Sequence, residues 1–133
     1  MIRVCLVEDQ TLVRQGIQTL LQLVDDIDVV AEAKDGDEAL RVISAAKPDV
    51  VLLDMCLPKR NGLEVLKALK QSASLPPTLI LITFDADKFI IGGLRAGAKG
   101  YLLKDVSLDQ LTRAIRTLAS GGTLAHPPLL SAY

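Results

Sequence analysis

The sequence predicts an α/β domain: an open, doubly wound parallel sheet of (βα)5 type with strand order 2-1-3-4-5. Three observations carry this. Short apolar runs alternate with longer stretches of helical periodicity, and the alternation occurs five times along the 133 residues. The strand candidates are apolar on both faces, as in parallel sheets covered by helices on each side. Five strands are too few to close a (β/α)8 barrel, so the sheet stays open, with right-handed crossovers.

The elements follow in order. The first strand is expected at residues 3–7. The first helix is expected at 12–24, with apolar residues at 13, 17, 20, 21 and 24. A second strand is expected at 28–32. Asp35 and Glu38 have the spacing of a capping box, opening a helix that runs to about Ala46 before Pro48. Val50-Val51-Leu52-Leu53 is the third strand, and Asn61 with Glu64 boxes the third helix. After Pro76-Pro77 come a fourth strand at 78–83 and a helix at 88–96, ended by Gly97. Gly100–Leu103 is the fifth strand. Ser107 and Gln110 open the last helix, which carries Leu108, Leu111, Ile115 and Leu118 on one stripe and stops at Gly121-Gly122. Within the fourth helix, Gly92-Gly93 has two readings: close packing on the sheet, or a helix that remodels easily, since each Gly costs about 1 kcal/mol against Ala. Phe89, Ile90 and Ile91 cannot all face inward, so one is expected at the surface, free for a dimer contact. Residues 1–120 form the domain. Residues 121–133 read as a linker or tail, and its His126 as solvated.

Composition narrows the function classes. Fifteen Lys and Arg against sixteen Asp and Glu leave a net charge of −1, without the basic excess of a nucleic-acid-binding domain. Four aromatics (Phe84, Phe89, Tyr101, Tyr133) make a poor base-stacking platform. Cys5 and Cys56 in an apolar setting fit a reducing compartment without disulfides. No apolar run reaches the ~20 residues that cross a bilayer, and the chain opens on a strand pattern rather than a signal peptide. A cytoplasmic location is therefore expected, with neither membrane nor nucleic acid bound by this domain.

The chemistry gathers at strand ends. Glu8 and Asp9 follow the first strand, Asp54 the third, Lys104 the fifth, and Thr83 ends the fourth. In the order 2-1-3-4-5 these meet in one crevice. Two unit charges 4 Å apart repel by roughly 4 kcal/mol at an effective dielectric of 20, and one Lys cannot offset three carboxylates. The cluster asks for a hard divalent cation, and Mg2+ suits oxygen ligands of this kind. A cation, an ammonium and a hydroxyl donor together suit a phosphoryl group. Asp54 is then the candidate nucleophile. The bland alternative makes Asp9 a helix N-cap and the others solvated loop charges.

These residues carry a family resemblance. The chain resembles the receiver domain of a two-component response regulator, a flavodoxin-like fold, over roughly residues 1–120. Glu8-Asp9 is similar to the family's acidic pair. Asp54 through Gly62, with Pro58 four residues and Gly62 eight residues after the Asp, resembles its phosphoacceptor loop. Leu81-Ile82-Thr83 resembles the strand with the switch hydroxyl, and Leu102-Leu103-Lys104 the strand ending in the family's lysine, with Tyr101 at the aromatic switch position. The stretches Thr83-Phe84-Asp85-Ala86-Asp87 and 94–105 are similar to the branch whose output is a LuxR-type helix-turn-helix. The family's usual Pro after the lysine is replaced by Asp105.

The resemblance implies a regulatory switch rather than an enzyme with an external substrate. A histidine kinase would donate a phosphoryl group to Asp54. Asp9, Asp54 and the backbone carbonyl of Cys56 would hold Mg2+, with Glu8 acting largely through water. Lys104 would pair with the phosphoryl oxygens, Thr83 would donate a hydrogen bond, and Tyr101 would enter the space Thr83 leaves. The output would be a LuxR-type DNA-binding domain, reached through the fourth and fifth strands and helices or through a homodimer. Three other functions compete. A flavodoxin-like mononucleotide binder would want a Ser/Thr/Gly-rich phosphate loop where Glu8-Asp9-Gln10 stands. An acid-nucleophile phosphatase would want a second Asp where Cys56 stands. A pseudo-receiver interaction module would never be phosphorylated, and would not need the acidic pair, Thr83 and Lys104.

Overall fold

The computed structural model describes residues 1–83 and 87–123. Phe84, Asp85, His126 and Tyr133 lie outside the described residues, as does most of the expected tail. The elements alternate throughout: β1 (Ile2–Val7), α1 (Thr11–Leu21), β2 (Ile27–Ala33), α2 (Gly36–Ala46), β3 (Val50–Asp54), α3 (Gly62–Gln71), β4 (Thr78–Ile82), α4 (Asp87–Arg95), β5 (Gly100–Leu103) and α5 (Leu108–Ala119). The five strands form one sheet in the order β2-β1-β3-β4-β5. Every neighbouring pair is parallel.

Side chains along each strand point alternately to opposite faces, and here the faces feed two cores. Cys5, Val7, Val51, Leu53, Ile80 and Ile82 pack with Ile43, Val65, Leu66, Leu69 and Ile90 of α2, α3 and α4. Val4, Leu6, Val50, Leu52, Leu79 and Leu81 pack with Leu21 of α1 and Leu111, Ala114, Ile115 and Leu118 of α5. The expected doubly wound architecture is therefore met, three helices on one side and two on the other.

Helix entries obey local chemistry. Asn61 with Glu64, and Ser107 with Gln110, form complete reciprocal boxes. The box expected at α2 is half formed. Asp35 accepts from the Glu38 amide at 2.8 Å, but the Glu38 carboxylate accepts from Lys34 N instead of the Asp35 amide. Helix α1 ends at Leu21, three residues short of expectation, and Leu23 beyond it is 72% exposed. Its N-cap is Gln10, so Asp9 does not cap the helix as the bland alternative required.

Two expectations for α4 are settled. A Cβ on Gly93 would collide with Ile80 Cδ1, whereas one on Gly92 would meet nothing nearer than Leu63 at 3.9 Å. Close packing thus accounts for Gly93 and leaves Gly92 open. The exposed apolar residue expected among Phe89, Ile90 and Ile91 is corrected: Ile90 is buried and its two neighbours are half-buried. Phe89 leans on the core under α4, which uses more of the helix circumference than a surface stripe would.

Candidate functional site

Parallel strands bring their carboxyl ends to one edge, and the sequence places its acids there. Asp54 is the last residue of β3. Lys104 follows β5, its amide bonded to Ile82 O at 2.7 Å. Glu8 and Asp9 follow β1, the amide of Glu8 donating to Ala33 O at 2.9 Å. Strands β1, β3, β4 and β5 are consecutive neighbours, so these ends converge. Carboxylate oxygens of Glu8, Asp9 and Asp54 lie within 4.8 Å of one another, Glu8 and Asp54 buried and Asp9 exposed.

Lys104 binds the cluster from within. Its Nζ lies 2.6 Å from Glu8 Oε1 and 3.3 Å from Asp54 Oδ2. The second Glu8 oxygen accepts from Gln10 N at 3.1 Å, and Asp54 Oδ1 accepts from Cys56 N at 3.1 Å. Burial raises the Asp54 carboxyl to about 6, reinforced by the Glu8 charge and only partly offset by the Cys56 amide and Lys104. Lys104 moves the opposite way relative to its own burial. Desolvation opposes its charge, but the bond to Glu8 and the attraction of both acids raise its pKa overall. One cation thus holds two buried acids, while a third acid faces solvent beside them.

A cavity of about 120 Å3 opens onto this cluster, lined by Asp54, Cys56, Thr83 and Lys104 together with Gln10, Met55, Ile82 and Phe89. Thr83 is exposed just beyond the last residue of β4. Cys56 contributes its amide to Asp54 while its thiol side is exposed. Tyr101 is on β5 opposite Ile80, half-buried against the core under α2–α4, and is not among the residues lining the cavity. The Lys104–Asp105 peptide bond is trans.

The loop after Asp54 is held closed at both ends. Gly62 N donates to Met55 O at 3.0 Å, and a Cβ on Gly62 would stand 2.7 Å from Met55 Cα. Lys59 faces Asp35 at 3.7 Å and Arg60 bonds Asp37 at 2.7 Å, tying the loop to the start of α2. Sequence reading did not single out Gln10 or Met55. Gln10 acts through its amide, which every residue type except Pro possesses, so no side-chain signal marks it. Met55 is one apolar residue among many in the sequence, and only its packing beside Asp54 sets it apart.

The arrangement is that of a regulatory receiver domain. Residues 4–116 match the response regulator receiver domain, and the chain belongs to that family. Among curated proteins it is 40% identical over 129 residues to transcriptional regulatory protein LnrK of Bacillus subtilis (strain 168), covering 97% of this chain and 59% of that protein. It is 37% identical over 124 residues to the DNA-binding transcriptional activator DevR/DosR of Mycobacterium tuberculosis, covering 93% of this chain and 57% of that protein. The chain thus spans less than two-thirds of these relatives' length. Among solved structures it is similar to a LuxR-family two-component response regulator from Aurantimonas sp. SI85-9A1, with TM-score 0.88, 30% identity, and 98% and 94% of the two chains covered. A DNA-binding response regulator of the LuxR family from Staphylococcus aureus matches with TM-score 0.83 and 27% identity, covering 90% and 99%. The two curated relatives are by name transcriptional regulators, and the two solved structures are LuxR-family response regulators.

Proposed function

We propose that this domain is a phosphorylation-activated switch, with Asp54 as the phosphoacceptor for a histidine kinase. One observation carries the reading: a buried carboxylate at the floor of an open cavity, held between an ammonium and a backbone amide and flanked by two further acids. In the transfer, an Asp54 oxygen attacks phosphorus, the P–N bond of the donor's phosphohistidine breaks, and the imidazole keeps the electron pair. Lys104 is placed to shift from Glu8 and Asp54 toward the incoming phosphoryl oxygens. Thr83, on the same cavity wall, is the hydroxyl we assign as donor to the bound group. Adding that group adds charge and three strong acceptors to the pocket.

The donor set fits a divalent cation of the Mg2+ class. All three side chains offer hard oxygens, Asp9 is open to solvent for retained waters, and a single ammonium leaves the cluster net negative. When bound, such an ion supplies charge neutralisation to the transferring group. Asp9, Asp54 and the Cys56 carbonyl are the ligands we assign, with Glu8 in support because its oxygens already serve Lys104 and Gln10.

The phosphorylated pocket would draw Thr83 inward and let Tyr101 follow, altering the β4–α4–β5–α5 surface or a homodimer contact. Residues 1–120 would act as the receiver and 121–133 as the lead into a LuxR-type DNA-binding domain in the cytoplasm. Incubation with Mg2+ and a small phosphodonor, followed by intact mass measurement, tests the central claim. Addition of one phosphoryl group to wild type, absent from Asp54→Ala, is the expected result. No addition, under conditions that label a control receiver, would instead favour an interaction module that is never phosphorylated.

A further inference from the structure

Of the helices whose N-caps are described, α1 alone lacks a side-chain cap, and its first turn carries no acidic residue. Another contact secures its junction with β1. Arg14, in the second half-turn of α1, reaches back so that Nη1 donates to the Glu8 carbonyl at 2.8 Å. Its Nε lies 3.7 Å from Glu32 Oε1, and its side chain is only 17% exposed. Glu32 pairs with Leu6 across β1 and β2. One guanidinium therefore joins α1, the end of β1 and the end of β2, at the point where the chain carries the acidic pair.

The geometry points to Arg14 as a positioning residue for the acids of the cation site. Glu8 is then held at its backbone as well as its side chain: Arg14 holds its carbonyl, while Gln10 N and Lys104 hold its carboxylate. Asp9 sits between the Arg14 and Gln10 anchors, and the backbone they fix sets the point from which its carboxylate reaches toward the cluster. This inference rests on the proposed reading of the acidic cluster, and it concerns cation affinity rather than phosphoryl transfer itself. Arg suits the task better than Lys, because its rigid fork donates from several nitrogens at once, whereas an ammonium is a point charge on a flexible stem.

The test uses the full 133-residue chain. Melting temperature is followed in EDTA and then across a MgCl2 titration, for wild type, Arg14→Met, Arg14→Lys and Arg113→Met. The Mg2+ concentration giving half the maximal rise is expected to increase about 3–10-fold in Arg14→Met, at or below the lower end of the range for losing an outer-shell partner of a metal ligand. It is expected to rise less in Arg14→Lys. It should stay put in Arg113→Met, which removes the same charge from an exposed pair with Asp109 on α5. A midpoint within twofold of wild type in Arg14→Met overturns the inference, even where the melting temperature in EDTA falls, since the residue then only staples the junction. Should Arg14→Met not fold, an unchanged midpoint in Arg14→Lys overturns it equally. A wild type that shows no Mg2+ response sinks the cation reading and this inference with it. A wild type that responds to Mg2+ but takes no phosphoryl group sinks only the phosphoacceptor role, and the comparison at Arg14 stands.

Discussion

Replacing Asp54 with Asn should stabilise the metal-free domain at neutral pH. The carboxyl titrates at about 6 in the fold against an ordinary 3.8, because burial and the Glu8 charge disfavour its ionised form. Ionising it at pH 7 therefore costs the fold roughly 3 kcal/mol by the pKa difference. The cavity admits water, which screens part of that, leaving about 1–2 kcal/mol as the gain on substitution. For a domain of this size that is about 4–7 °C in melting temperature. The raised pKa also fixes the sign of the pH dependence. The native state binds this proton more tightly than the unfolded chain, so wild type recovers roughly half of the lost stability as pH falls from 7 to 5, with full recovery only below the ordinary value of 3.8. The Asn variant has nothing to recover in that window. Asp26 and Asp35, whose pKa values are lowered by Arg116 and by the Glu38 amide, keep their contributions until the pH drops into the ordinary carboxylate range. Thermal melts followed by circular dichroism, in EDTA at pH 7 and pH 5, measure both effects. An Asn variant that melts below wild type at pH 7 would refute the reasoning, as would a wild type that gains no more than the variant on acidification.

Other outcomes follow from the packing. Gly93→Ala should cost about 1–2 kcal/mol in urea denaturation, the collision with Ile80 outweighing better helix propensity, while Gly92→Ala gains up to about 1 kcal/mol. Ser107→Ala should lose about 1 kcal/mol by leaving the Gln110 amide without its acceptor, read from the same denaturation midpoint. Leu66→Ala, fully buried under α3, should lose about 2–5 kcal/mol. A thiol reagent at pH 8 should label Cys56 in the native protein and Cys5 only on unfolding. The Cys5 thiol is buried, and burial with the Glu32 charge pushes it up to about 12.

Most of the fold was legible because its signals are local. Two complete capping boxes, the apolar strands and the placement of acids at strand ends depend on neighbours a few residues apart. Glu8, Asp9, Asp54 and Lys104 could be gathered once the strand order was assumed, and the sheet has that order. What escaped depends on distances between elements. No periodicity announces that Glu38 would serve Lys34 rather than Asp35, or that Lys104 would take Glu8 as its nearer partner. Arg14 reads as one polar residue on an amphipathic helix until α1 is laid beside the end of β1. The same holds for Gly93, whose necessity comes from Ile80 on another strand.

Met55 lies where three parts of the molecule meet. Its sulfur would touch a side chain placed at the first residue of α3, its methyl end would touch one placed on α4 at Gly93, and it forms part of the wall around Asp54. A thioether bends more readily than a branched hydrocarbon. The protein has thus put its most pliable apolar residue at the seam between the loop bearing the nucleophile and the fourth helix. Motion on either side of that seam can be taken up by one chain of single bonds, without reopening the sheet beneath.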